Sequence, residues 1–129
     1  MRRLIATVSA TLAMTAALAI VGTPAQAASP TGSFGNGYMS IWVDGRGSYP
    51  YVQICDEEAD SQRVRVQVSG SFGASAWAED ANGANTTCGY GYFNPAPKAG
   101  ERLYITGWRQ NGTNGTPNNW VQGAFTFSG

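Results

Sequence analysis

Arg63-Val64-Arg65-Val66-Gln67-Val68 is the stretch that decides the fold. Its valines take every second position, with arginine or glutamine between them, which is the period of a β-strand. Such a strand buries one face and wets the other, as in an antiparallel sheet packed on one side only.

Outward from this strand the same grammar continues. Tyr38-Met39-Ser40-Ile41-Trp42-Val43 reads as a strand ended by a turn at Asp44-Gly45-Arg46-Gly47. Tyr49 to Cys55 reads as a second, with Pro50 marking a strand start or an edge. Asp56 to Asp60 turns the chain into the valine strand. Ala74 to Glu79 and Thr86 to Phe93 follow, joined through Asn82-Gly83, a dipeptide suited to positive φ. Glu101 to Arg109 places Leu103 and Ile105 on one face and Tyr104, Thr106 and Trp108 on the other. Trp120 to Phe127 closes the set, with Val121, Phe125 and Phe127 as expected core. Helical spacing is absent from these segments, and turn residues recur every eight to twelve positions. The expectation is an all-β, immunoglobulin-like, two-sheet antiparallel sandwich of about seven short strands, with an open barrel as the second choice.

The N-terminus reads differently. Arg2 and Arg3 precede an apolar stretch from Leu4 to Val21, then Gly22, Pro24 and the small-x-small triplet Ala25-Gln26-Ala27. That order is a secretory signal peptide over residues 1–27, and it implies an extracellular destination. A membrane anchor is the competing reading, weakened by Thr7, Ser9, Thr11 and Thr15 within the stretch. Removing 27 of the 129 residues leaves 102, enough for one domain. Residues 28–37 read as a flexible N-terminal arm and 38–129 as the sandwich domain.

Composition excludes several functions. Without the leader, six basic side chains face eight acidic ones, a net charge of −2. Nucleic-acid binding and anionic membrane surfaces call for the opposite sign. Cys55 and Cys88 form an even pair in an exported chain and read as a disulfide. The bridge would close a loop a little over 30 residues long, worth about 3–4 kcal/mol on the chain-entropy model. The sequence contains no histidine, so Ser-His-Asp and Cys-His nucleophiles have no general base. Two cysteines without histidine make a poor zinc set. No metal, cofactor or catalytic residue is therefore expected. Paired carboxylates are the surviving catalytic option, drawn from Glu79, Asp80, Glu101 and Asp44 with the acidic turn. The acidic turn 56–60 reads as a solvated turn in preference to a calcium loop.

The positive signal is aromatic. Tyr90 and Tyr92 share one face of their strand, and Tyr104 and Trp108 lie opposite Leu103 and Ile105. With Arg109 and Asn111 beside them, these side chains are the candidate binding residues, suited to a protein hot spot or a sugar platform. The competing explanation is that inner sheet faces need large side chains, one tryptophan packing on the disulfide. The Asn-Gly-Thr repeats at 111–113 and 114–116 mark an exposed loop.

Val52-Gln53-Ile54-Cys55-Asp56, the valine strand, Asp80 to Gly83 and Thr87-Cys88-Gly89 resemble small secreted actinobacterial proteins with one disulfide. Among these are the adapter subunits of umbrella toxin particles. That resemblance implies a protein-bridging role. Trp108-Arg109 is similar to part of the Trp-Arg-Tyr signature of secreted α-amylase inhibitors, with Gln110 in place of the tyrosine. The expected function is a secreted non-catalytic module binding another secreted or surface protein, as adapter or inhibitor. The alternatives are a carbohydrate-binding module taking polysaccharide and, less favoured, a small carboxylate-dependent enzyme.

Overall fold

A computed structural model describes residues 28–81 and 87–129. The leader, the Asn82-Gly83 turn and Asn85 lie outside the described residues. Eight strands follow in order: β1 (Thr31–Gly35), β2 (Met39–Asp44), β3 (Tyr51–Asp56), β4 (Arg63–Gly70), β5 (Ser75–Asp80), β6 (Gly89–Tyr92), β7 (Arg102–Gln110) and β8 (Asn118–Thr126). They form two four-stranded sheets, ordered β1-β2-β3-β6 and β5-β4-β7-β8, with every strand pair antiparallel. The chain is thus all-β, a two-sheet antiparallel sandwich. Its first three strands run as a meander, and β6 returns from the far side to complete that sheet.

The valine strand sits where its alternation demands. Val64, Val66 and Val68 are buried, Arg63 and Arg65 are half-buried outside and Gln67 is exposed. As β4 it is an inner strand, paired to β5 and β7. Facing it across the sandwich are Met39, Ile41 and Val43 of β2 and Val52 and Ile54 of β3. Leu103, Ile105, Val121, Phe125 and Phe127 complete the core. Fully burying each such side chain contributes about 1.5–3 kcal/mol, offset by the entropy of ordering the chain.

The expected arm at 28–37 is corrected. Thr31 to Gly35 is a full strand, paired to β2 from Thr31↔Asp44 to Gly35↔Ser40, which raises the count from seven to eight. Its anchor is Phe34, whose ring lies 6.1 Å from that of Phe125. A Cβ on Gly123 would sit 2.4 Å from the Phe34 ring, so that glycine makes the room. One aromatic residue in a run of Gly and Ser carries little local strand signal; the contact that orders it comes from β8.

Cys55 and Cys88 are bridged, with Cα atoms 4.5 Å apart. That is the spacing of facing residues in a non-hydrogen-bonded antiparallel pair, and the β3–β6 register reaches Ile54↔Gly89 immediately beside it. The bridge therefore ties neighbours within one sheet. It lies toward the outer face, where Cys55 and Trp42 line the same shallow groove.

The sandwich narrows at one edge. Along β5 the inward residues are Ala76 and Ala78, and along β6 they are Gly89 and Gly91. A Cβ on Gly89 would fall 1.9 Å from the Glu79 carbonyl oxygen. Only bare Cα atoms let these two edge strands approach so closely. Large side chains have no space between the sheets there and must stand outside.

Candidate binding faces

Strand register assembles the outer face of the second sheet. Gln67 lies between Trp77 of β5 and Thr106 of β7, and Thr106 is paired with Gln122 of β8. One row along, Arg65 lies between Glu79 and Trp108. Beyond the β-bulge between Gly107 and Arg109, the Trp108 and Trp120 rings pack at 5.4 Å. On the other side of the Gln67 row, Ser69 lies between Ser75 and Tyr104. Trp77 and Trp108 flank a groove of about 240 Å³ floored by Arg65 and Gln67.

Electrostatics on this face are internally paired. Glu79 accepts hydrogen bonds from Arg65 and, at 3.0 Å, from Arg63. Burial pushes the Glu79 carboxyl up, but the two guanidinium bonds outweigh it and hold it below its ordinary value. Trp108 is fixed in place: its indole N–H donates to Gln110 Oε1 at 2.7 Å. Gln110 is buried and donates to the carbonyls of Gly112 and Thr113, both at 2.8 Å. The loop after β7 thus orients the ring.

The outer face of the first sheet carries tyrosines. Tyr51 pairs with Tyr92 and Gln53 with Tyr90 across β3 and β6. The Tyr51–Tyr90 rings lie 5.8 Å apart and the Tyr49–Tyr92 rings 6.4 Å apart. Trp77 stands at the rim between the faces, sharing a cleft with Tyr90 and Tyr92.

Of the expected binding residues, Tyr90 and Tyr92 are therefore exposed on one sheet and Tyr104 and Trp108 share the outer face of the other. Asn111 is exposed in the turn after β7. Arg109 is corrected: it is not part of the Tyr104–Trp108 face. Period two places it opposite Trp108, at the end of the sandwich, with its guanidinium carbon 4.0 Å from the centre of the Tyr38 ring. There it pairs with Asp60 and donates to Asn118 Oδ1 at 3.2 Å and Asn119 Oδ1 at 2.8 Å. Its fork is committed to holding three chain segments together. The competing explanation holds for phenylalanine and not for tryptophan: Phe93, Phe125 and Phe127 are in the buried core, and no tryptophan is. Sequence reasoning missed Trp77 and Trp120 as surface residues. For Trp77 the signal was present, because Ala74, Ala76 and Ala78 alternate with it and turn inward.

The carboxylates proposed for catalysis lie in structural bonds. Asp44 accepts from the Arg46 backbone and guanidinium, which holds it below its ordinary value. Asp80 Oδ2 accepts from the Asp56 N–H at 3.0 Å. Glu101 is buried and accepts from the backbone N–H groups of Phe72, Ala74 and Lys98, each at 2.9 Å. In the acidic turn, Asp56 and Asp60 cap the N–H groups of Glu58 and Gln62. Among the described residues no group of three or more His, Cys, Asp or Glu is placed to hold a metal ion.

Fold and faces together define a small, disulfide-bridged β-sandwich that keeps its aliphatic side chains inside and its tyrosines and tryptophans at or near the surface. The chain matches no protein-family model, no curated protein and no solved structure.

Proposed function

We propose that the protein is a secreted, non-catalytic binding module that engages another secreted or surface protein, as an adapter or an inhibitor. The observation that carries this reading is the outer face of the second sheet. Tyr104, Trp108 and Trp120 stand outside the core on paired strands, and Trp108 is locked by Gln110. Rigid Tyr and Trp rings lose little entropy on binding and dominate protein hot spots. The disulfide suits an oxidising compartment, and no described helix is long and apolar enough to cross a membrane. The sequence resemblance to adapter subunits points the same way.

The test is a tagged pull-down from the native culture fluid with bound proteins identified by mass spectrometry, followed by titration of the purified partner. A stoichiometric, salt-resistant partner is expected, bound at least about tenfold more weakly by Trp108→Ala. Retention of no partner, or full affinity in that variant, overturns the reading.

A second reading, carbohydrate binding, is favoured by a separate observation. Among the described residues the large exposed apolar side chains are Tyr49, Phe72, Trp77, Tyr90, Tyr92, Tyr104 and Trp120, all aromatic and none aliphatic.

A further inference from the structure

Outside the narrow edge between β5 and β6 runs an open cleft of about 470 Å³, lined by Ser75, Trp77, Tyr90, Gly91, Tyr92 and Asn94. Trp77 forms one wall and the two tyrosines the other, and these rings are 63%, 57% and 64% exposed. Gly91 and Ala76 keep the floor low. Ser75 and Asn94 supply hydroxyl and amide groups, and no charged side chain belongs to the lining. Backbone bonds fix the geometry: Asn94 N–H donates to the Ser75 carbonyl at 2.8 Å, and Ser75 N–H to the Pro95 carbonyl at 3.2 Å.

We propose that this cleft is a binding subsite for a chain of neutral polysaccharide. A pyranose has apolar C–H faces that stack on aromatic rings and a hydroxyl rim that bonds to amides and hydroxyls. The cleft offers both kinds of contact and nothing else. An uncharged lining matches an uncharged ligand. A uronate or a phosphate would need cations, and Arg63 and Arg65 of β4, the strand paired to β5, are bound to Glu79. Size argues in the same direction. The volume falls within the roughly 300–1,000 Å³ of small-ligand sites, whereas a protein partner covers about 800 Å² on each side. The cleft lies across Trp77 from the Trp108 face, so the inference stands without the protein reading; it rests on the carbohydrate reading and gives it a site.

The test is electrophoresis of the native protein through gels containing xylan, hydroxyethylcellulose, galactomannan or soluble starch, with tryptophan fluorescence titrated by the matching hexasaccharides. At least one polysaccharide retards the protein, and Trp77→Ala and Tyr92→Ala each weaken binding about tenfold. Their melting temperatures stay near the parent's, because both side chains are exposed, and Trp77→Phe recovers part of the affinity. Trp120→Ala, on the far strand β8, changes affinity by less than about twofold. Four results would overturn the proposal. They are no retardation in any of these gels, full retardation of Trp77→Ala, an equal loss in Trp120→Ala, or a Trp77-dependent protein partner without glycan binding. The Trp108→Ala pull-down reads the protein face separately.

Discussion

A Cβ on Gly91 would lie 1.7 Å from the carbonyl oxygen of Trp77. With the like approach of Gly89 to the Glu79 carbonyl it brings β5 and β6 together at the edge, where Trp77 faces outward beside the cleft. Gly91→Ala must push the two strands apart, a distortion that costs about 1–3 kcal/mol or more. Urea unfolding should show a lower midpoint at unchanged m, the product of the shift and m equalling that loss. Tyr90→Ala, in the same strand but facing solvent, should unfold close to the parent.

Glu101 gathers three backbone N–H groups from the loop after β4 and the connector before β7. Gly70 permits this, since a Cβ there would sit 1.9 Å from the Glu101 carboxylate. Burial raises the Glu101 carboxyl, but the N–H groups of Ala74, Lys98 and Phe72 outweigh it and hold it below its ordinary value of 4.5. Its stabilisation is therefore complete above the unfolded value and is lost as pH falls through the lower folded one. Glu101→Gln should lose stability at neutral pH by about 1–3 kcal/mol. The gap between variant and parent should close in acid, as read by thermal unfolding from pH 7 to pH 2.

Asp56 has the opposite sign. Burial pushes its carboxyl above the ordinary 3.8, with the Glu58 N–H opposing and Asp60 and Asp80 adding repulsion. Among the described residues its buried Oδ2 has no hydrogen-bond partner. The folded group keeps its proton where the unfolded chain ionises, so this residue's cost grows as pH rises from the unfolded to the folded value. Asp56→Asn retains an oxygen for Glu58 and removes the buried charge. It should match or exceed the parent's melting temperature at pH 7, and the difference should shrink as pH is lowered through that window.

Arg109→Lys should behave as a stability variant with intact binding faces. A lysine cannot donate in a fork to Asp60, Asn118 and Asn119 while lying flat on Tyr38. A loss of about 1–3 kcal/mol is expected in denaturant unfolding, whereas partner affinity of the folded protein stays unchanged. A specific loss of affinity without loss of stability would return Arg109 to the binding set.

Removing the bridge with Cys55→Ser and Cys88→Ser frees a separation of 33 residues in the unfolded chain. The loss should be about 3–4 kcal/mol on the chain-entropy model, measured by guanidinium unfolding of the double variant against the oxidised parent. The spacing of β3 and β6 should survive, because their ladder continues from Ile54↔Gly89 to Tyr51↔Tyr92.

Much of the sandwich was legible because alternation is a local property. Val64, Val66 and Val68, or Leu103 and Ile105, announce a buried face whatever lies opposite, and the absence of helical spacing excludes the other periodic choice. Two cysteines in such a chain announce a bridge, and the parity of Tyr104 and Trp108 against Leu103 places those rings outside. The sequence by itself thus determined the fold class, the disulfide and the outward course of Tyr104 and Trp108.

Only the tertiary structure decided the rest. Gly89 to Tyr92 has no aliphatic face, so which side packs depends on the β5 backbone 10 to 14 residues earlier in the chain. Thr31 to Gly35 becomes a strand because β2 offers an edge and Phe125 a surface for Phe34. Arg109 leaves the aromatic face because the sandwich ends above Tyr38, where Asp60 from a remote turn meets Asn118 and Asn119 at the start of β8. Register and stacking between remote segments are set by shape and by backbone hydrogen bonds that every residue type can make. They leave no local pattern to read.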